Sequence, residues 1–560
     1  MGIKMWQQNY SILGNNVVLT AIVAGIPVYF LFWALAIKKM KGYLAGICTL
    51  GLSLLVAIFL YRMPVGAAFS SALLGIVNGL VPIVWIIIAA VFLFNLVVKS
   101  GQFEVIKSSI SSISPDRRIQ TILIAFCFSA FMEGVAGQGV PVAIAAVMLI
   151  GLGFDPLKAA VLSLVGNVVP VAFGPVGVPT ITTATVGGIS VNLLTKSIGR
   201  EMLIFCIISP IFLMVILSGW KKAMEVLPAA LVAGCSFGLS YFVITNFVGP
   251  ELVSIVSSIF SLVCLTVFLR FWKPKTIWRL KEDEEAKQPE KVTAEMAATK
   301  MKYTGGQIFR AWSPFMVIMI VMYVWSSTPF KNLIENQLKW FINIASWPGL
   351  NGIIYKVAPI VSKPAVYAAS YKFDFIVTAG TGLLLSGIIT AIILKIKPST
   401  AVKVFGSTCR QLVFSMIVIM SVFGFAYVAN YSGMSFSYGL AFAATGVLFA
   451  IFSPIIGGIG TFITGSETSS GALFAKLQVI SGHSLGLNPM LTVTSSVLGA
   501  SMCKLISPQS IAIATAATGM VGHESKIFRG TAKYSMILLG FAIIVSVIFI
   551  YLLPFLIPST

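Results

Sequence analysis

The sequence predicts an all-α polytopic membrane protein with roughly 12–16 membrane segments, built as an inverted repeat with two broken-helix or hairpin regions. Three observations carry this. The chain is 560 residues long, 58% hydrophobic and only 10% charged, with a mean hydropathy of +0.98, whereas a soluble domain carries about 25% charged residues. Apolar runs near the roughly 20 residues a helix needs to span a bilayer recur from end to end. Glycine-rich interruptions appear in two places separated by a nearly constant distance.

The apolar runs come in order as Val17–Ile37, Leu44–Leu60, Val81–Val98, Met202–Gly219, Phe315–Val324 with its flanks, Phe375–Leu394 and Met536–Leu556. The first is full-length and lacks a small-residue cleavage pattern, so it is expected to stay as a helix. Lys38, Lys39 and Lys41 follow it. By the positive-inside rule that loop is cytoplasmic and the N-terminus lies outside. Lys221 and Lys222 fall on the same side, as do the groups Lys395, Lys397, Lys403, Arg410 and Lys526, Arg529, Lys533, which leaves the C-terminus outside. The net charge of +21 is spent at span ends, so no nucleic-acid partner is implied; membrane lipid is the surrounding partner. The polar stretch Phe271–Lys302, with Glu282, Asp283, Glu284 and Glu285 among many basic residues, reads as a solvated cytoplasmic tether. The organisation is then an N-terminal membrane half (1–270, first repeat about 55–180), a charged linker (271–305) and a C-terminal membrane half (306–560, second repeat about 389–515). The seven cysteines show no paired or metal-ligand spacing and read as small buried hydrophobes.

The repeat is visible on sliding the chain along itself. At a shift of 333, Gly153 and Pro156 fall on Gly486 and Pro489, Gly166 on Gly499 and Pro175 on Pro508; at 332, Ser100-Gly101 falls on Ser432-Gly433; at 331, Phe131 and Gly134 fall on Phe462 and Gly465. The basic residues give the sign. In the first copy Arg62 is followed by none until Lys99, after which Lys107, Arg117 and Arg118 mark the cytoplasmic end; in the second, Lys395 to Arg410 come first and none follows until Lys476. The two copies cross the membrane in opposite senses, the architecture that lets a secondary transporter open alternately to either side.

Each copy contains two interruptions. The first has Glu133–Pro141 and Gly166–Pro179; the second has Gly465–Gly471 and Gly499–Pro508. Broken backbone inside a bilayer is tolerated only where it is buried in protein or lines a cavity, and half-helix N-termini offer free N–H groups to an anion. An ionisable group at that depth marks a functional site by default. Glu133 and Glu467 are therefore the proton-coupling candidates, each with a structural alternative: a bond to loop amides for Glu133, a helix cap for Glu467. Lys504 could pair with a substrate carboxylate or with either glutamate. Gln138, Asn167, Thr180, Ser466, Thr468, Ser469 and Ser470 complete the candidate substrate-binding set, and each could equally satisfy backbone freed by the breaks. Lys372 and Asp374 read as a surface ion pair, and His483 and His523 fall in predicted polar loops. No nucleophile–base pair, carboxylate cluster or His/Cys metal set is present, which argues against a membrane enzyme.

At these residues the chain resembles the bacterial L-lactate permease family. The likeness runs from Trp6-Gln7-Gln8-Asn9-Tyr10 through PIVWIIIAAVF (82–92), GQFEVIKSSI (101–110), PVAFGPVGVP (170–179), NFVGPEL (246–252), FGSTCRQL (405–412), NYSG (430–433), TGSETSSGALF (464–474) and KLISPQSIAIA (504–514). The resemblance implies proton-coupled symport of small 2-hydroxymonocarboxylates (L-lactate, D-lactate and glycolate) in the bacterial inner membrane, with protons as the coupling ion and no organic cofactor. Sodium coupling is the alternative within transport, and a homodimer is an assembly the sequence leaves open. Four departures fall on the candidate site. The family's glycine run reads closer to EGAAGFGAP, where this chain has Val135, Gln138 and Val140; Glu467 and Gly471 stand where Asp and Asn are usual; Thr494-Ser495-Ser496 stands for Asn-Thr-Thr; and Asn167 is followed by Val168-Val169-Pro170 instead of Thr-Ala-Pro. They point to a carrier whose preferred acid could be longer or more oxygenated than lactate.

Overall fold

The computed structural model describes residues 5–38, 40–137, 139–279, 303–520 and 523–558. Lys39, Gln138 and the acidic run Glu282–Glu285 of the linker therefore lie outside the described residues. Among those described, eleven helices are long and apolar enough to cross a membrane, or thirteen if each of two bent pairs counts as one span. Many of these helices leave large apolar side chains exposed, as at Phe59, Val402 and Ile320, which is the surface a bilayer would cover.

The first apolar run is a bent pair, Val17–Ala24 and Ile26–Leu35, turning by 43° at Gly25. The run that begins at Val81 is only the second half of a 35-residue helix, Val65–Lys99, whose backbone departs from helical angles at Val81 before Pro82. Its counterpart is Pro398–Ser432, also 35 residues. Val65 against Pro398 and Lys99 against Ser432 share the offset of 333. The two helices pack on each other. Gly75 meets Phe423 and Gly424, while Asn95 donates to Thr408 at 2.9 Å. Residue numbers rise along one helix as they fall along the other, so equivalent elements run antiparallel. Each is followed by a ten-residue helix, Gln102–Ser111 and Met434–Ala443, a hairpin, a broken helix and a further long helix.

The first hairpin is Arg117–Val135 returning as Val140–Gly151. The second is Gly446–Thr464 returning as Glu467–Ser484, its arms tied by a hydrogen bond from Ser470 to the Gly457 carbonyl at 2.9 Å. The first broken helix is Pro156–Gly166 with Pro170–Gly187, bent by 55°; the second is Pro489–Lys504 with Pro508–Thr518.

Several sequence expectations change. A short β-layer accompanies the helices: Trp6–Gln7 pairs in parallel with Ile354–Lys356, which pairs antiparallel with Ala365–Val366, while Ile342–Ile344 pairs with Tyr371–Phe373. These strands are too short to show a period in the sequence. The start of the linker is no free tether, because the Trp278 amide donates to Asp116 and the Thr276 carbonyl accepts from Arg118. Arg118, one of the charges that read as a span-end marker, is fully buried; all five of its N–H groups are used, on Asp116, Glu225 and the carbonyls of Lys222 and Thr276. Cys48 and Cys235 are exposed on helix faces rather than buried, and His483 sits in the last turn of a helix. Lys372 does face Asp374, at 3.9 Å, but its nearer partner is Glu335 at 2.9 Å.

Candidate functional site

The site is built where hairpin tips and helix breaks meet. Glycine is required at the crossings. A Cβ at Gly166 would strike the Ala125 carbonyl of the first hairpin, and one at Gly499 would strike the Pro454 carbonyl of the second. The two broken helices therefore lie backbone-to-backbone on the descending arms, and the breaks are carried to the depth of the tips. The first break contains Val176 at φ 49°, between Gly174 and Gly177, both also at positive φ. A β-branched residue in that region costs on the order of 1–3 kcal/mol and persists only where its surroundings impose it.

A cavity of about 460 Å³ opens between these elements. Four helices begin on its wall: Val140–Gly151 behind Gly139, Val178–Gly187, Glu467–Ser484 behind Ser466, and Pro508–Thr518. Each brings its positive dipole end to the same space. The cavity extends along Leu31, Leu35, Gly42 and Tyr43 toward the end that bears Lys38 and Lys41, where Tyr43 stacks on Phe414 at 4.7 Å.

Two carboxylates face it. Glu133 is buried and accepts from Asn167 at 2.7 Å and from Lys504 at 3.0 Å. Glu467 is buried too, and both its oxygens accept from the Ser501 hydroxyl, at 3.1 and 3.2 Å. In each case the partner lies 34 residues downstream on the broken helix of the same copy. The glutamates share this spacing but are not repeat equivalents, since the sequence offset of 331 sets Glu133 against Thr464. Glu133 lies on the arm entering its hairpin tip and Glu467 at the start of the arm leaving its own.

Of the sequence candidates, Glu133, Ser466, Glu467, Thr468, Ser469 and Lys504 line the cavity. Asn167 stands behind Glu133, tethering it, and itself accepts from Ser129 at 3.2 Å. Thr180 donates to the Ala172 carbonyl in the first break and Ser470 to the Gly457 carbonyl of the facing hairpin arm, and neither is on the cavity wall. Gln138 lies outside the described residues. Thr464, Gln509 and Ser510 line the cavity and were missed. The signal for the last two was present: a polar pair directly after Pro508, at the first turn of a half-helix.

Compared with known proteins, residues 20–556 match the family described as L-lactate permease. The chain is similar to an L-lactate permease of Salmonella typhimurium, 44% identical over 99% of this chain and 100% of that protein. It is similar to an L-lactate permease of Bacillus subtilis at 42%, over 99% of this chain and 100% of that protein. It is also 42% identical to the glycolate permease GlcA of Escherichia coli, over 97% of both.

Proposed function

The chain belongs to the L-lactate permease family, and from that premise we propose that it carries small 2-hydroxymonocarboxylates, L-lactate and glycolate among them, into a bacterial cell by proton symport across the plasma membrane. The observation that carries this reading is the convergence of four helix N-termini and the Lys504 ammonium on one cavity. That is a cradle for a single negative charge of a compact ligand. Thr464, Ser466, Thr468, Ser469 and Gln509 supply hydroxyl and amide groups for a 2-hydroxyl beside the carboxylate.

Moving one anion inward against 100 mV, negative inside, costs about 2.3 kcal/mol. One proton carried with it makes the step electroneutral. The ion pair of Lys504 with Glu133 leaves Glu133 committed, because protonating it would strand the ammonium. Glu467 faces a hydroxyl at bonding distance and no cation in ion-pair contact among the described residues. It can take and release a proton without breaking an ion pair, so the coupling role goes to Glu467 and the charge-holding role to Glu133.

Purified protein in liposomes with an inward proton gradient is expected to accumulate labelled L-lactate, with glycolate, glycerate and pyruvate as competitors that rank the pocket's preference. Accumulation that requires sodium and ignores the proton gradient would replace proton coupling with sodium coupling. Uptake of glycerate well above lactate would assign the substitutions around the cavity to a more oxygenated acid.

A further inference from the structure

A second cavity, of about 750 Å³, lies at the far end of two of the helices that line the first. Val178–Gly187 and Glu467–Ser484 pack together, with Gly471 against Thr183 and Gly187 against Ala475 and Val479. Their N-termini open on the central cavity. Their other ends, Gly188–Ser190 and Lys476–Ser484, line the second one, roofed by the end of the strand Ile354–Lys356 and the turn at Pro359. Lys476 stands nine residues beyond Glu467, roughly 14 Å along the helix axis.

The charge of this second cavity is one-sided. Lys356, Lys476 and His483 line it, and no Asp or Glu does among the described residues. Lys476 is half-buried and donates one hydrogen bond, at 3.0 Å, to the Gly187 carbonyl. Its ammonium also sits over the Phe436 ring, and that of Lys356 over the Tyr367 ring. Capping the last turn of Val178–Gly187 would account for one contact of Lys476. It does not account for Lys356, which has no acidic partner on the cavity wall and lies near enough to Lys476 for the two like charges to repel. Two partly desolvated ammonium groups over aromatic walls, uncompensated, are held at a cost that an anion between them would offset.

We propose that this cavity is a vestibular subsite for the transported carboxylate, where Lys356 and Lys476 hold the anion on the extracytoplasmic face before it reaches the central cavity. The assignment rests on the carrier reading above. A concave cationic site of low dielectric raises the local concentration of an anion and its rate of arrival. It therefore acts on kcat/KM at low substrate and leaves the maximal rate to the central site.

The test is initial uptake of labelled L-lactate into right-side-out proteoliposomes at low and high ionic strength. Lys356→Glu is expected to raise KM about tenfold, and Lys356→Gln about threefold, with kcat unchanged; the differences should shrink in salt above the screening range of about 0.1 M. Lys356→Arg should restore the unaltered KM. Lys356 ends the short strand Ile354–Lys356 and its side chain makes no hydrogen bond or ion pair among the described residues, so it decides the matter even if Lys476→Gln fails to fold. Normal uptake with an unchanged KM in Lys356→Glu, or an unchanged salt response, overturns the subsite alone. Absence of lactate uptake by the unaltered protein overturns the carrier reading, and the subsite's ligand with it.

Discussion

Glu133 and Glu467 stand at the two hairpin tips on opposite arms and face different partners, and that difference decides what each can do. Glu133 neutralises Lys504 at 3.0 Å in a buried setting. Removing one member of a buried pair leaves the other unpaired at about 3–5 kcal/mol, whereas replacing both can be neutral. Glu133→Gln is therefore expected to lower the thermal stability of the detergent-solubilised protein by several degrees and to abolish both accumulation and exchange. The double variant Glu133→Gln with Lys504→Met should regain stability without regaining transport. A thermal shift series on the three proteins checks this; a double variant no more stable than the single one would sink it. Glu467→Gln should behave differently, keeping lactate–lactate exchange while losing proton-driven accumulation. If exchange and accumulation fall together, Glu467 binds substrate and does not carry the proton.

At this scale the sequence was legible where charge was the signal. Glu133, Glu467 and Lys504 stand out in apolar runs because only function or pairing retains them there. Hydroxyls were not separable. Thr180 and Ser470 look like Ser466 and Thr468 in the sequence, since a hydroxyl beside a helix break serves its own backbone or a ligand with the same chemistry. Which one it does depends on the direction of the side chain after the turn, and that is set by contacts such as Ser470 on Gly457. Arg118 was misread for a related reason. A guanidinium at the end of a span usually marks the cytoplasm, and only the fold brings Asp116, Glu225 and two carbonyls around it.

At the level of elements, the breaks depend on two glycines that let backbones touch. A methyl at Gly166 or Gly499 meets a carbonyl group of the crossing arm, which cannot move aside as a flexible side chain would. Gly166→Ala and Gly499→Ala are each expected to cost at least about 3 kcal/mol. Gly51→Ala, in a helix with open space around it, should be neutral or slightly stabilising. Yield and thermal stability of the three variants measure this, and a stable, active Gly499→Ala would show that the crossing is looser than drawn.

The base of the first hairpin carries a second element-level device. Arg118 holds the Glu225 carboxyl below the ordinary carboxylate range, with a further hydrogen bond from Thr276. A carboxylate depressed in the folded state contributes stability above its unfolded value and loses it as pH falls through the folded value. Stability is thus expected to decline on the acid side of the normal glutamate range, and Glu225→Gln should flatten that part of the profile by lowering stability at neutral pH while leaving the acid end nearly unchanged. An identical acid limb in the variant would assign the decline to other groups.

For the molecule as a whole, the antiparallel packing of Val65–Lys99 on Pro398–Ser432 is the geometric core of the inverted repeat. The repeat could be read from glycines and prolines because close crossings and breaks fix those residue types at fixed positions. The β-layer could not, because strands of two or three residues leave no period. An inverted pair of copies admits two arrangements related by exchange of roles, and one of them is on view. The central cavity extends past Leu35, Gly42 and Ser415 toward the end that bears Lys38 and Lys41. At the opposite end the packed helices Val178–Gly187 and Glu467–Ser484, tied by Lys476 on Gly187, separate it from the vestibule. The positive-inside rule would put the basic end in the cytoplasm, and on that ground we propose that this is an inward-open arrangement. In a background with the seven native cysteines replaced, Ser415→Cys is then expected to react with a membrane-impermeant maleimide from the cytoplasmic side. Saturating lactate should slow that reaction, and an imposed gradient that favours the outward-open arrangement should suppress it. Labelling from the extracytoplasmic side only would reverse the assigned orientation. Labelling that lactate and the gradient both leave unchanged would mean that the wall at Ser415 does not move with the transport cycle.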